Sequence, residues 1–353
     1  MSPSDSGARS PEQRVTDIVE RLVAGQTWDL RAGPDPVVDT ADLRSALIAL
    51  ATRHVDPHGI HLTNAVFDDR LDIDSLTVKF PIRLTSCVFK GGFIARESNL
   101  KRLDLRESKF ANKSGQVPQL NLNGTTISGQ LNLSGARLVN PGGTALSLDG
   151  ATVNQGVFMQ GGFRAEGVVR ALEATIGMHL DLQGARLVNP GGTALSLDGA
   201  TITGDALVDE GFRAKGEVRA MGATIGGQLS LSGASLVNPG GTALSLDGAT
   251  ITGDMLLEAD SWAEGVVHAV GATIGGELRL SGASLVNPEG YALFLDHATI
   301  TGGVFMEDKF QAEGVVHAVG ATIGGQLSLR GASLVNPEDD ALSLDGATIT
   351  GDM

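Results

Sequence analysis

LVNPGGTALSLDGAT, residues Leu138 to Thr152, has a register that returns at Leu187, Leu236, Leu285 and Leu334, 49 residues apart each time. Inside that repeat lies a shorter one marked by the triplet A-T-I/V. Its threonines fall at Thr152, Thr175, Thr201, Thr224, Thr250, Thr273, Thr299, Thr322 and Thr348, in steps alternating between 23 and 26 residues. Two coils therefore make one repeat. Each coil alternates apolar with small or polar residues over short runs separated by glycine, which is the period of a β-strand. No helix of ordinary length fits between strands so close together, so successive coils must pair with one another. The expected fold is an all-β solenoid, a right-handed parallel β-helix with a small N-terminal helical cap. Leu246, Ile251 and Leu256, five apart, predict short sides with a core residue at the centre of each, and Asn140 to Gly143 reads as a turn at one corner. The expected core contains Leu146, Leu148, Ile176, Leu180, Leu182, Leu195, Leu197, Ile202, Leu229, Leu231, Leu244, Leu246, Ile251, Ile274, Leu278 and Leu280.

With 48 glycines and only 4% aromatic residues, the chain of 353 residues suits tight corners around a narrow aliphatic core better than a large aromatic-lined pocket. Its one cysteine, Cys87, excludes an internal disulfide and reads as buried packing. The polar stretch MSPSDSGARSPEQR lacks the apolar core of a signal peptide, and no run approaches the roughly 20 apolar residues of a membrane span, so the cytoplasm is the expected compartment. The net charge of -15 is unevenly divided: residues 1–115 hold 16 Lys+Arg and 16 Asp+Glu, residues 116–353 hold 10 and 25. An acidic array disfavours direct contact with nucleic acid or anionic membrane and favours a basic partner. A membrane contact through apolar groups stays open.

Along the chain, residues 1–10 read as disordered and 11–56 as the cap. Val15, Ile18, Val19, Leu22 and Val23 form one helical stripe ending before Gly25. Residues 26–38 read as a loop. A second helix starts at the N-cap Asp39 and carries Leu43, Ala46, Leu47, Leu50 and Ala51 on one face. Irregular first coils occupy 57–118, beginning at Ile60 and ending in a loop over 111–118. The regular array of 49-residue double coils fills 119–353 and stops at Met353 part way through a coil. The bare edge of that coil predicts a homodimer through the C-terminal coil, opposed by Glu338, Asp339, Asp340, Asp345 and Asp352.

Residues 49 apart fall in one column along the solenoid, so columns are where function is sought. One holds Asp149, Asp198, Asp247, Asp296 and Asp345; another holds Arg170, Arg219, His268 and His317. A third, Phe158, Leu207, Leu256 and Phe305, is flanked by inward positions and is expected to form an outward apolar ridge that a partner or lipid could use. The Asp column and this ridge are the candidate partner surface. His54, Asp56, His58 and His61 are the nearest approach to a metal cluster but lack the spacing of a zinc site. Glycine stretches such as Gly271 to Gly276 precede no helix and read as corners, and the A-T-I-T threonines form too incomplete an array for ice. No nucleophile, base and orienting group recur together, so no catalytic residue, metal or cofactor is expected.

The L-x-L-x-G-A-x-I pattern at five-residue spacing resembles pentapeptide-repeat proteins. LRSALIAL through GIHLTNAVFDDRLDIDSLTVKFPIRLTSCVFK (residues 43–90), with coils such as GATIGGQLSLSGASL (residues 222–236), look like a group of actinobacterial β-helical proteins labelled membrane-associated oxidoreductases. The likeness covers most of residues 40–353. It implies a β-helix and an oxidoreductase label, whereas the residues supply nothing to bind a flavin, nicotinamide, haem or redox metal. Some pentapeptide-repeat proteins are acidic solenoids that imitate the DNA duplex and bind gyrase. The expected function is a non-catalytic binding or structural scaffold engaging a protein partner; the alternatives are a DNA mimic acting on a topoisomerase such as gyrase, and an enzyme acting on a polymer along the solenoid groove. The last needs carboxylates and cations together on one face, for which Arg170, Arg219, Asp181 and Glu173 are the candidates.

Overall fold

The computed structural model describes residues 10–31, 36–111, 117–337 and 340–352. Every strand pair in it is parallel, and coil pairs with coil through three sheets of 13, 16 and 12 strands, which is a parallel β-helix of about 12 turns. Of the disorder expected for residues 1–10, residues 1–9 lie outside the described residues, as do 112–116 of the loop expected over 111–118, and Glu338 and Asp339; Ser10 is not disordered but caps the first helix.

Early coils have four short sides, as in Ile60–Thr63, Val66–Phe67, Leu71–Asp72 and Thr77–Val78. From Arg137 the second and third sides fuse into one long strand, Arg137–Ser147. Its first residues pair with Lys109 and Phe110, its last with Leu120 and Asn121. Asn140 to Gly143 does sit where the two sides meet, yet it is an excursion within a continuous strand: the ladder is interrupted between Val139 and Thr144 and then resumes. The Asn140 amide closes the excursion by donating to the Thr144 carbonyl at 2.8 Å, and Asn189, Asn238 and Asn287 repeat this bond. The next coil turns the same corner with one glycine, Gly167, at φ +106°. Long strands thus alternate between 11 residues (Arg186–Ser196) and 7 (Arg213–Arg219). That alternation is the main physical source of the 26/23 step.

Side chains alternate in and out along strands such as Ile60–Thr63 and Arg164–Arg170, and the whole expected core list is buried, from Ile202 at 0% exposure to Leu197 and Leu229 at 4%. At about 1.5–3 kcal/mol for each buried Leu or Ile, this column of aliphatics is the main stabilising term. The first coils use aromatics instead, with Phe67, Phe89 and Phe110 stacked at centroid spacings of 4.8 and 4.6 Å. Leu256 departs from the five-residue reading: it points outward, and Met255 and Leu257 beside it fill the core.

The cap is built as its sequence signals require. Helix α1 (Pro11–Val23) opens with a capping box in which the Ser10 hydroxyl accepts from Gln13 N and the Gln13 carboxamide accepts from Ser10 N. Gly25 follows it in a left-handed conformation. Helix α2 (Thr40–Ala51) starts at Asp39, whose carboxylate accepts from Ala41 N and Asp42 N. Leu22, Leu43, Ala46, Leu47 and Leu50 are buried, whereas Ala51 is exposed, so the apolar face of α2 is one residue shorter than expected. Arg14 Nε pairs with Asp42 at 2.5 Å between the helices, and Arg44 Nη1 donates to the Asp72 carbonyl at 2.7 Å, which fastens α2 to the first coil. The stretch 26–38 is not only a loop: Thr27–Asp29 is a strand paired with His61 to Thr63, and Val37 bridges Val66. The segment between the helices therefore adds a partial rung that pairs with the edge of the first coil.

Candidate binding face

Three outer faces and the corners between them carry all the columns. On the 12-stranded sheet, threonines from Thr126 to Thr348 stand opposite one another on ten successive rungs. Such cross-strand threonine contacts stabilise a sheet directly. Beside them, alternate rungs place Gly226 and Gly275 where an added Cβ would meet the carbonyls of Thr203 and Thr252, so the second threonine column is interrupted by geometry.

The Phe158 column does point outward, on the 13-stranded sheet, and its members are half-buried. It forms no ridge. Asp181 lies between Phe158 and Leu207, Ser230 between Leu207 and Leu256, and Arg279 between Leu256 and Phe305, because the expectation aligned only every second rung. The Arg279 guanidinium lies 5.9 Å from the Phe305 ring centroid. Asp181 is buried between its apolar neighbours, and that burial, with Asp209 nearby, raises its carboxyl above the usual range. A raised folded-state value means that this carboxyl adds stability below the unfolded value and loses it as pH rises through the folded one. Asp181→Asn, which keeps an oxygen to accept from Gln183 N (3.1 Å in the native protein), should therefore raise the melting temperature at neutral pH, with the difference vanishing on acidification. Thermal unfolding of both proteins across that range checks the sign.

The aspartate column is not a free acidic surface. Asp149, Asp198, Asp247 and Asp296 each accept a hydrogen bond from a corner backbone N–H of the next coil, at Leu172, Met221, Val270 and Val319, at 2.9–3.1 Å. Three of them also pair with the column that was read as separate: Arg170 with Asp149 at 2.5 Å, Arg219 with Asp198 at 2.8 Å and His317 with Asp296 at 2.6 Å. The two columns are one inter-coil brace. Asp345, on the last described corner, is exposed. Asp181 belongs to the 13-stranded sheet, Arg170 and Arg219 to the 16-stranded one and Glu173 to a corner, so these four candidates for a groove acting on a polymer do not share a face.

The histidine cluster is likewise dispersed. His58 Nδ1 contacts Asp56 at 2.7 Å, while His61 is held between the Thr27 and Thr85 hydroxyls at 2.8 and 3.0 Å, its pKa lowered by burial and then by Arg83. Among the described residues no group of three or more His, Cys, Asp or Glu is placed to hold a metal ion. Cys87 is fully buried, its thiol pushed up to about 12 by desolvation. Among the described residues no helix is long and apolar enough to cross a membrane.

The outer face of the 16-stranded, long-strand sheet is different. Several of its exposed side chains depart from the repeat: Arg186, Arg213 and Lys215 toward its N-terminal end, Trp262 and Tyr291 toward its C-terminal end, at 40% and 41% exposure for the two aromatics; Glu313 is exposed there as well. Arg186, Arg213 and Lys215 line a groove of about 450 Å³ with Ser235, Val237 and Asp260. Farther along, Tyr291 stacks on Phe294 at 4.7 Å, and His268 and His317 flank that ring at 5.4 and 5.2 Å. The sequence reading missed this face. Its arginines belong to two different 49-residue series, and only the pairing of successive coils brings them together. A separate hollow of about 420 Å³ lies between the cap and the first coils, lined by Ile18, Arg21, Trp28 and Val38, with Arg21 5.0 Å from the Trp28 ring. Comparison with family models, with curated proteins and with solved structures returns no match for this chain.

Proposed function

We propose that the chain is a non-catalytic binding scaffold that engages a protein partner through the outer face of the long-strand sheet. The observation that carries this is the contrast between faces: corner carboxylates are bonded to neighbouring coils, whereas Arg186, Arg213, Lys215, Trp262 and Tyr291 project from the long strands. Arginine and aromatic side chains are the types that dominate binding energy at protein interfaces. Mimicry of a DNA duplex needs a regular array of free carboxylates, and the aspartates best placed for it are taken up by Arg170, Arg219 and His317, so the long-strand face is the better-supported surface.

A photo-crosslinking residue placed at Trp262, and separately at Thr224 on the threonine sheet, tests the proposal in extract of the native host. Discrete adducts from position 262 and none from position 224 are expected. Equal adducts from both positions, or turnover of a redox dye by the purified protein, would overturn it.

A further inference from the structure

We infer that Lys109, Arg137, Arg164, Arg186 and Arg213 form a docking ladder for an acidic helical segment of the partner, laid along the solenoid axis; this rests on the protein-binding reading above. The five cations stand on five consecutive rungs of the 16-stranded sheet, Lys109 on a two-residue strand and the four arginines on long ones, each directly opposite the next. Like charges so placed destabilise a sheet. The fold does not require them, because the same column continues as Ser235, Trp262, Ser284, Gln311 and Ser333. Glu166 meets only the middle of the ladder, 3.1 Å from Arg137 and 3.6 Å from Arg164. Among the described residues Lys109, Arg186, Arg213 and the adjacent Lys215 have no acidic group within ion-pair distance, and the last three open on the groove in which Asp260 is the one carboxylate. In an array as acidic as this one, five cations in a row are a local reversal of sign, which selects an acidic ligand.

The spacing selects its form. Rungs are about 4.8 Å apart. An acidic stripe at i, i+4, i+7, i+11 and i+14 of a helix offers one carboxylate about every 5.4 Å. An extended strand offers one on the same face only every ~6.8 Å. Over the four intervals of the ladder a helix runs long by roughly 2 Å, within reach of flexible arginine side chains, and a strand by roughly 8 Å. Each guanidinium can take a carboxylate bidentately.

The test is a fluorescence-anisotropy titration of the full chain with a helical peptide carrying that glutamate stripe, against a peptide of the same composition with the stripe scrambled. The variant Arg186→Ser/Arg213→Ser/Lys215→Val borrows residues that later rungs carry in the same columns, so its β-helix should be retained, as circular dichroism will report. The native chain should bind the striped peptide at least tenfold more tightly than the scrambled one, with affinity falling as salt rises, and the variant should lose that preference. Equal binding of the two peptides, no binding, or undiminished binding by the folded variant would overturn the ladder. So would tighter binding of a sulfated polysaccharide or an oligonucleotide, which would assign the cations to another polyanion. The two readings fail separately: the titration decides the ladder, and the crosslinking decides the scaffold.

Discussion

Gly265→Ala is expected to destabilise the solenoid by about 3–5 kcal/mol, more than any surface substitution. Gly265 turns the long-side corner at φ +112°, a conformation that a residue with a Cβ rarely adopts. A Cβ there would also lie 2.6 Å from both the Asn238 and the Gly241 carbonyl oxygens, the two ends of the excursion in the preceding coil. Both neighbours are backbone, held by the Asn238 amide bond to Thr242 O, so neither yields cheaply. Gly271→Ala is the control. Gly271 is also left-handed, at φ +62°, but has open space around it, and the corresponding corners of other coils hold Glu173 and His297 in the same conformation. It should cost only ~1 kcal/mol. Urea unfolding of the two variants will separate backbone preference from collision. Nearly equal midpoints would mean that the excursion moves to accept a side chain.

Phe89→Ala should cost a comparable ~3–5 kcal/mol, through a different mechanism. Phe89 is the centre of the aromatic column, with Phe67 and Phe110 stacked on its two faces and Phe93 5.7 Å away, all fully buried. Alanine would leave a cavity touching three rings in the coils that support the cap. Phe89→Leu should cost less, roughly 1–2 kcal/mol, because the column itself passes from Phe110 to Leu138 at the next rung. Because contacts run chiefly between adjacent coils, the loss should appear as early unfolding of the N-terminal coils. Hydrogen exchange resolved along the chain will show whether protection falls first around residues 60–110, as expected, or evenly to Ile349, which would refute a local loss.

The repeat interval, the alternation within each coil and the helix caps were legible from the residues alone, because each is set by local geometry. A period of two fixes which side of a strand faces inward, so Leu146, Ile202 and Leu278 read correctly as core, and Asp39 marks a helix start wherever that helix later packs, whereas Ser10, expected to be disordered, caps the first helix. Lateral neighbours were not legible in the same way. Reading at 49-residue intervals compares every second rung, so it placed Asp149 and Arg170 in separate columns, strung Phe158, Leu207, Leu256 and Phe305 into a ridge, and split the arginines of the long strands into unrelated series. What brings them together is the way successive coils turn one corner, by the excursion Asn140 to Gly143 in one and by Gly167 in the next. That alternation changes the number of residues between neighbours without moving the strands. Composition and period thus determined that the chain is a solenoid and what fills it. Only the tertiary register decided which charges cancel and which stand in line, because cancellation depends on separations of a few ångströms between residues more than twenty positions apart.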